Sequence, residues 1–416
     1  MSGEGAASPR LLLRALAQVA TPAGRGAPLR GDALREVEVT HDAYVLCEEG
    51  RIVAVGAMSE LGPLAGDVVE VDGRGLAAVP GLVDCHTHAC FAGDRVEEFA
   101  LRSAGASYEE LHARGGGILS TVRATRAAGE EGLASALAEH TAWMLRAGTT
   151  TFEAKSGYGL DRDTELAQLR AVRDAGGIPT WLGAHAVPPE FADEGADAYL
   201  DFLLEDVLPE AALLAEAADV FLERGAFDAD QARRYLAACR DAGLALRLHG
   251  DQFTESGAIP LAIELGASSV DHLEATGRVG VAALAASDVV GVLLPASALF
   301  LGRSMPPARA LVDAGAAVAL ATDFNPGSAF CESIPLVCSL ATTQMGLATE
   351  EALAACTVNA AHVLGRADRK GRLAPGYDAD VVLVAADDWR HLAYHLGGPV
   401  VHTVVAGGRI AWGSRA

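Results

Sequence analysis

Aromatic residues are scarce in this chain, basic residues are outnumbered, and no apolar stretch has the length of a membrane span. Phe, Trp and Tyr make up only 5% of 416 residues, so its elements must pack largely through small and aliphatic side chains. Lys and Arg number 32 against 55 Asp and Glu, a formal charge of −23 that argues against nucleic acid or an anionic membrane as partner. An anionic small molecule stays open, because one local arginine outweighs a distant average charge at hydrogen-bond range. Leu11-Leu12-Leu13 is cut short by Arg14, and the most apolar stretch, Val289 to Leu301, contains Pro295 and follows Asp288. Neither reads as a signal peptide or a transmembrane helix, and a soluble cytoplasmic protein is expected. The seven cysteines, at 47, 85, 90, 239, 331, 338 and 356, form no Cys-x-x-Cys pair. Their odd number and apolar neighbours predict reduced, buried thiols rather than a disulfide framework.

What is present is a half-apolar chain long enough for one large domain and a small one. From Leu11 to Val71, short β-like runs such as Tyr44-Val45-Leu46-Cys47 and Arg51-Ile52-Val53-Ala54-Val55 alternate with turns at Glu49-Gly50 and Gly56. The tail from Arg372 to Trp412 has the same texture and is expected to pair with that first segment. Between them, eight apolar runs alternate with Ala-rich helical stretches. They end at His88, at Glu153, at His185, at Glu223, at His249, at His272, at Leu294 and at Asp323. Eight βα units predict a (β/α)8 TIM barrel, an α/β fold, over residues 79–366. A small β-sandwich-like domain is expected from residues 1–78 and 367–416 together.

In such a barrel the site is assembled from the C-terminal strand ends, and several of these runs end in His or Asp. His86 and His88 stand two apart, which in extended chain turns both imidazoles to one face. His249 ends the fifth run and Asp323 the eighth, so three imidazoles and one carboxylate can surround a single ion. That donor set suits zinc or iron with a position left open for water. Each residue alone is equally well a strand-end cap or a hydrogen-bonded core group; their joint placement points to a metal.

The stretches Pro80-Gly81-Leu82-Val83-Asp84-Cys85-His86-Thr87-His88 and Ala321-Thr322-Asp323 resemble the amidohydrolase superfamily. The likeness to one branch of it extends through Phe91-Ala92-Gly93-Asp94-Arg95, the Gly115 to Arg126 segment, Glu153 to Leu160, Gly183 to Pro189, His249 to Phe253, Asp271 to Thr276 and Asp323 to Ser328. That resemblance implies hydrolysis of the ring amide of 4-imidazolone-5-propanoate to N-formimidoyl-L-glutamate in histidine breakdown. It also implies a homodimer, and one divalent or trivalent ion per chain, zinc or iron, held by His86, His88, His249 and Asp323. Asp323 would also take a proton from the attacking water, and His272 would polarise the carbonyl or stabilise the oxyanion. Gln252, an amide without useful basicity, would orient by hydrogen bonding. For the propionate the leading cation is Arg95, whose guanidinium can grip a carboxylate bidentately. Tyr158, His185, Asn325, Gly327 and Ser328 are implied as further substrate or product contacts.

Other readings stay on the table at this stage. A related amidohydrolase or deaminase acting on another nitrogen heterocycle with an acidic side chain is the runner-up, and a catalytically dead scaffold of the same fold is a third. Gly115-Gly116-Gly117 lacks the Gly-Lys-Ser/Thr ending of a nucleotide loop and reads as a flexible loop bordering the site. Lys155 raises the question of a carboxylated lysine bridging two metals. It follows the second run rather than the fourth, which ends in Glu223, so one ion is expected rather than two. Cys90 and Cys331 place thiols near the expected pocket.

Overall fold

A computed structural model describes residues 10–24, 26–105 and 116–414. The chain falls into two compact units, one comprising residues up to Asp84, Trp143–Thr151 and the chain from Ser333 onward, the other Cys85–Ala142 and Phe152–Glu332.

Strands from both ends of the chain share one sheet: β1 (Arg10–Pro22), β2 (Val37–Glu48), β3 (Arg51–Ala57), β4 (Val68–Asp72), β5 (Ala77–Pro80), then β14 (Val381–Val384), β15 (Val401–Ala406) and β16 (Arg409–Trp412). The order is β16-β15-β14-β5-β1-β2-β3, with β4 on β1. Alternation sets which residues meet. Leu11, Leu13, Val45, Cys47, Val381 and Leu383 share one buried cluster, while Leu12, Tyr44 and Leu46 pack on the other face. The register of β1 against β2 slips between Leu13 and Leu16, where Ala15 takes φ 53°, so both leucines turn to the same core.

The second sheet contains β6 (Leu82–Asp84), β7 (Thr149–Lys155), β8 (Ile178–Ala184), β9 (Ala217–Leu222), β10 (Ala245–Gly250), β11 (Ser269–His272), β12 (Val290–Leu293) and β13 (Val318–Leu320), in that spatial order. Its recorded pairings are parallel, as expected of runs buried on both faces. The barrel is drawn shut beyond the formal ends of its first and last strands. Asp323 N–H donates to the His86 carbonyl at 3.0 Å, His88 N–H donates to the Phe324 carbonyl at 2.9 Å, and Thr87 bridges Phe324 in parallel.

The eight expected runs are the eight barrel strands, with two differences at the seam. β6 stops at Asp84 and β13 at Leu320, so His86, His88 and Asp323 lie past the ladder, Asp323 in left-handed backbone. Past those ends the Thr87–Phe324 bridge and its two flanking bonds join the strands. Among the described residues no helix is long and apolar enough to cross a membrane.

Candidate active site

At the C-terminal strand ends the structure brings His86, His88, His249, His272 and Asp323 together. His88 Nε2 lies 3.2 Å from His249 Nε2, and Asp323 Oδ1 stands 3.6 Å from His86 Nε2 and 3.5 Å from His88 Nε2. Two donor groups emerge, His86 with His88 and Asp323, and His86 with His249 and His272. Donors about 2.0–2.2 Å from a common tetrahedral centre stand roughly 3.3–3.6 Å from one another, the spacing seen here. His86 Nε2 is buried without a hydrogen-bond partner, the condition of an imidazole whose lone pair is reserved for something else. Burial holds the His86 and His88 pKa values well below the usual imidazole range, so both rings are neutral and able to ligate. These residues fit a metal.

Buried carboxylates fix the rings from behind. Asp271 Oδ2 meets His86 Nδ1 at 2.5 Å, and Asp219 Oδ1 meets His249 Nδ1 at 3.0 Å. Both carboxylates project from strand interiors, Asp219 in β9 and Asp271 in β11. His272 behaves differently from the other rings. Burial opposes its charge, but Glu274, whose Oε1 is 3.4 Å from Nδ1, together with Asp323 and Asp271 outweighs that and raises its pKa. Burial raises the Asp323 carboxyl above the ordinary range, which makes it a better proton acceptor when ionised. His272, Leu273 and Asp323 all have positive φ (85°, 73° and 56°), strained for residues with a side chain and concentrated at two strand ends of the site.

In front of this cluster opens a cavity of about 610 Å³, lined in part by Arg95, Tyr158, His185, Gln252, Asn325 and Ser328. Arg95 Nε donates to Glu98 Oε2 at 3.0 Å and Nη2 to Oε1, so a carboxylate already occupies its fork. Tyr158 is buried, and its phenol pKa is raised by that burial. His185, whose Nδ1 is 2.9 Å from the Gly157 carbonyl, is driven to a pKa of about 4, chiefly by burial. Gly157 needs to be glycine, since it has φ 99° and a Cβ would sit 2.9 Å from His185 Nδ1. The Glu165 carboxylate gathers the Gly157, Gly159 and Leu160 N–H groups at 2.9–3.1 Å and so shapes the Tyr158 loop.

Not every expected contact residue is free to reach a ligand. Asn325 Oδ1 accepts from Gly327 N–H (2.8 Å) and Ser328 N–H (2.7 Å), while Nδ2 donates to the Asp323 carbonyl (2.6 Å), so this side chain ties its own loop. Ser328 Oγ lies 3.3 Å from Asp323 Oδ2. Glu223 accepts from the Phe253, Thr254 and Arg224 N–H groups, and Lys155 Nζ faces the Glu153 and Asp219 carboxylates. Gly115 of the glycine triplet lies outside the described residues. Sequence reasoning did not single out Asp219, Asp271, Glu165 or Arg247. For Asp219, Arg247 and Asp271 the signal was there, a charged residue inside an otherwise apolar strand run, as in Leu246-Arg247-Leu248; Glu165, in the first turn of a charged helix, carried none.

The chain belongs to the amidohydrolase family, whose model matches residues 77–411. A curated relative named imidazolonepropionase, from Rubrobacter xylanophilus, is 59% identical over 407 residues, covering 96% of this chain and 97% of that one. Another of the same name, from Chloroflexus aggregans, is 48% identical over 96% and 98% of the two chains. Within the family the chain therefore belongs with the imidazolonepropionases. Among solved structures it is similar in fold to an adenosine deaminase from Xanthomonas campestris with bound zinc (TM-score 0.69, 19% identity, 97% and 93% covered). A guanine deaminase from C. acetobutylicum with bound guanine gives a TM-score of 0.72 at 13% identity, with 97% and 100% covered.

Proposed function

We propose that the chain hydrolyses the ring amide of 4-imidazolone-5-propanoate to N-formimidoyl-L-glutamate in histidine degradation. The identity of 59% to a relative of that activity's name supports the reading. The observation that carries it in the structure is the convergence of His86, His88, His249 and Asp323 at the floor of a cavity that also presents Arg95. The four residues would hold one zinc or iron ion, which when bound supplies Lewis acidity to the reaction.

The chain's own groups divide the remaining work. Asp323 takes a proton from the attacking water as its oxygen adds to the ring carbonyl carbon. His272, whose protonated form Glu274 favours, donates to the oxygen on which negative charge develops. The carbon–nitrogen bond then breaks and the ring nitrogen receives the proton held by Asp323. Arg95 exchanges Glu98 for the substrate propionate, Gln252 orients the ring, and Tyr158 and His185 close over it. Asn325, Gly327 and Ser328 border the bound ligand as the loop that keeps Asp323 in place. On family resemblance, the enzyme acts in the cytoplasm as a homodimer.

Freshly generated 4-imidazolone-5-propanoate given to purified, metal-quantified protein should yield N-formimidoyl-L-glutamate. Ammonia release from another acidic heterocycle, with no turnover of this substrate by metal-replete protein, would replace this reading with a deaminase.

A further inference from the structure

Lys155 is one of only two lysines in a chain with thirty arginines, and it is fully buried beneath the histidines. Its Nζ lies 2.7 Å from Glu153 Oε1, 2.8 Å from Asp219 Oδ2 and 3.8 Å from Asp271 Oδ2. Each carboxylate leads on to the histidine cluster. Glu153 Oε2 accepts the N–H of Thr87, between His86 and His88, at 3.1 Å. The other oxygen of Asp219 meets both Nδ1 and the backbone N–H of His249, and Asp271 meets Nδ1 of His86. Arg247 completes the group, its Nη1 2.8 Å from Glu153 Oε1.

We infer that Lys155 is a positioning residue: one ammonium donates to Glu153 and Asp219 and attracts Asp271 by charge at 3.8 Å, and through these carboxylates fixes the orientation and tautomer of His249 and His86. An ammonium only donates, so the carboxylates facing it accept, and their remaining contacts then accept from imidazole. The proton of each ring is thereby held on Nδ1, leaving Nε2 with its lone pair aimed at the other ligands. Lysine suits the hub better than arginine because three compact donors radiate from one atom, whereas a guanidinium fork is planar and wider. The inference rests on the ligand set proposed above.

Its test uses zinc alone and reads binding rather than turnover. Wild-type protein and His249→Ala are titrated with zinc against a chelator; a His249→Ala protein that binds as tightly as wild type refutes the ligand set and, with it, the role of Lys155. With the ligand set sustained, Lys155→Met should weaken zinc about 10–100-fold, the usual effect of losing a group that orients metal ligands. Since Lys155→Met leaves three buried carboxylates with one cation, the charge-conserving pair Glu153→Gln/Lys155→Met is measured beside it. Weak zinc binding in a pair whose unfolding midpoint matches wild type supports positioning. Wild-type affinity in that pair, or in Lys155→Met itself, overturns it. A third measurement needs no variant: imidazole ¹⁵N shifts of metal-free wild-type protein should show His86 and His249 protonated at Nδ1, and protonation of either at Nε2 refutes the inference.

Discussion

Gly327 tests the placement of Arg95 without touching its charge. The glycine is not in left-handed backbone, so alanine is tolerated there conformationally, but its Cβ would stand 2.1 Å from Arg95 Nη1 and 3.0 Å from Cζ. Arg95 is a flexible side chain at its far end, so the clash resolves by displacing the guanidinium by about 1 Å, a shift of the size that costs up to about 10²-fold when it misplaces a binding group. Hydrogen bonds to charged groups contribute about 1.5–3 kcal/mol, or roughly 10–150-fold in affinity. Gly327→Ala should therefore raise KM for 4-imidazolone-5-propanoate by at least about tenfold, with metal content and melting temperature near the parent's. The control is a double-mutant cycle with Arg95→Met. Once the guanidinium is gone, Gly327→Ala has nothing left to displace and should add little. A parent-like KM in Gly327→Ala would refute the placement, as would a full additional penalty in the Arg95→Met background.

Asp323→Asn keeps the shape and an oxygen donor but no basic carboxylate, so at matched metal occupancy kcat should fall by about 10²-fold or more; near-parent turnover would move the base role to His272. In metal-free protein the lowered pKa values of His86, His88 and His185 mean that the unfolded chain takes up protons below about pH 6.5 while the folded site does not. Each such histidine withdraws stability as pH falls towards its folded value, by about 1.4 kcal/mol per unit, against an opposite contribution from His272 and from the buried Glu165, Asp271 and Asp323 carboxyls, whose pKa values are raised. An NMR titration of metal-free protein in which His86, His88 or His185 takes up its proton at or above pH 6.5 would contradict this. Burial pushes the Cys47 and Cys90 thiols up to about 12, so a thiol reagent at pH 8 should label Cys331, which is partly exposed, well before either.

The barrel and its donor set were legible because strand ends punctuate the sequence with His and Asp after apolar runs. His86-Thr87-His88, His249 and Asp323 needed only the rule that alternate residues share a face and that parallel barrels carry chemistry at one end. Three features were not legible from periodicity. The left-handed backbone of His272 and Asp323 is used at two particular strand ends; Asp and His tolerate that region better than most side chains, but nothing in their spacing marks where it occurs. Asn325 has the chemistry of a ligand contact, and only the fold shows its amide spent on its own loop. The charged layer of Glu153, Lys155, Asp219, Arg247 and Asp271 reads in sequence as isolated polar interruptions. Which of them meet is decided by lateral neighbours on strands β7, β9, β10 and β11, with 94 residues separating Glu153 from Arg247.

That layer and the barrel seam together explain why the ligands sit where they do. His86, His88 and Asp323 lie past the first and last strands, where the 2.9 and 3.0 Å bonds and the Thr87–Phe324 bridge join the two chain segments. Backbone released from the ladder is free to take the left-handed turn at Asp323 that aims its carboxylate at both histidines, which a regular strand would not permit. The seam alone would leave these side chains loosely set. The compensation comes from the rigid strands beside it, where buried carboxylates grip His86 and His249 by Nδ1 and Glu153 holds Thr87 between the paired histidines. Geometric freedom at the seam and electrostatic constraint beneath it are thus complementary: the first allows donors from opposite ends of the barrel's sequence to converge, and the second fixes which nitrogen of each constrained ring would face the proposed ion.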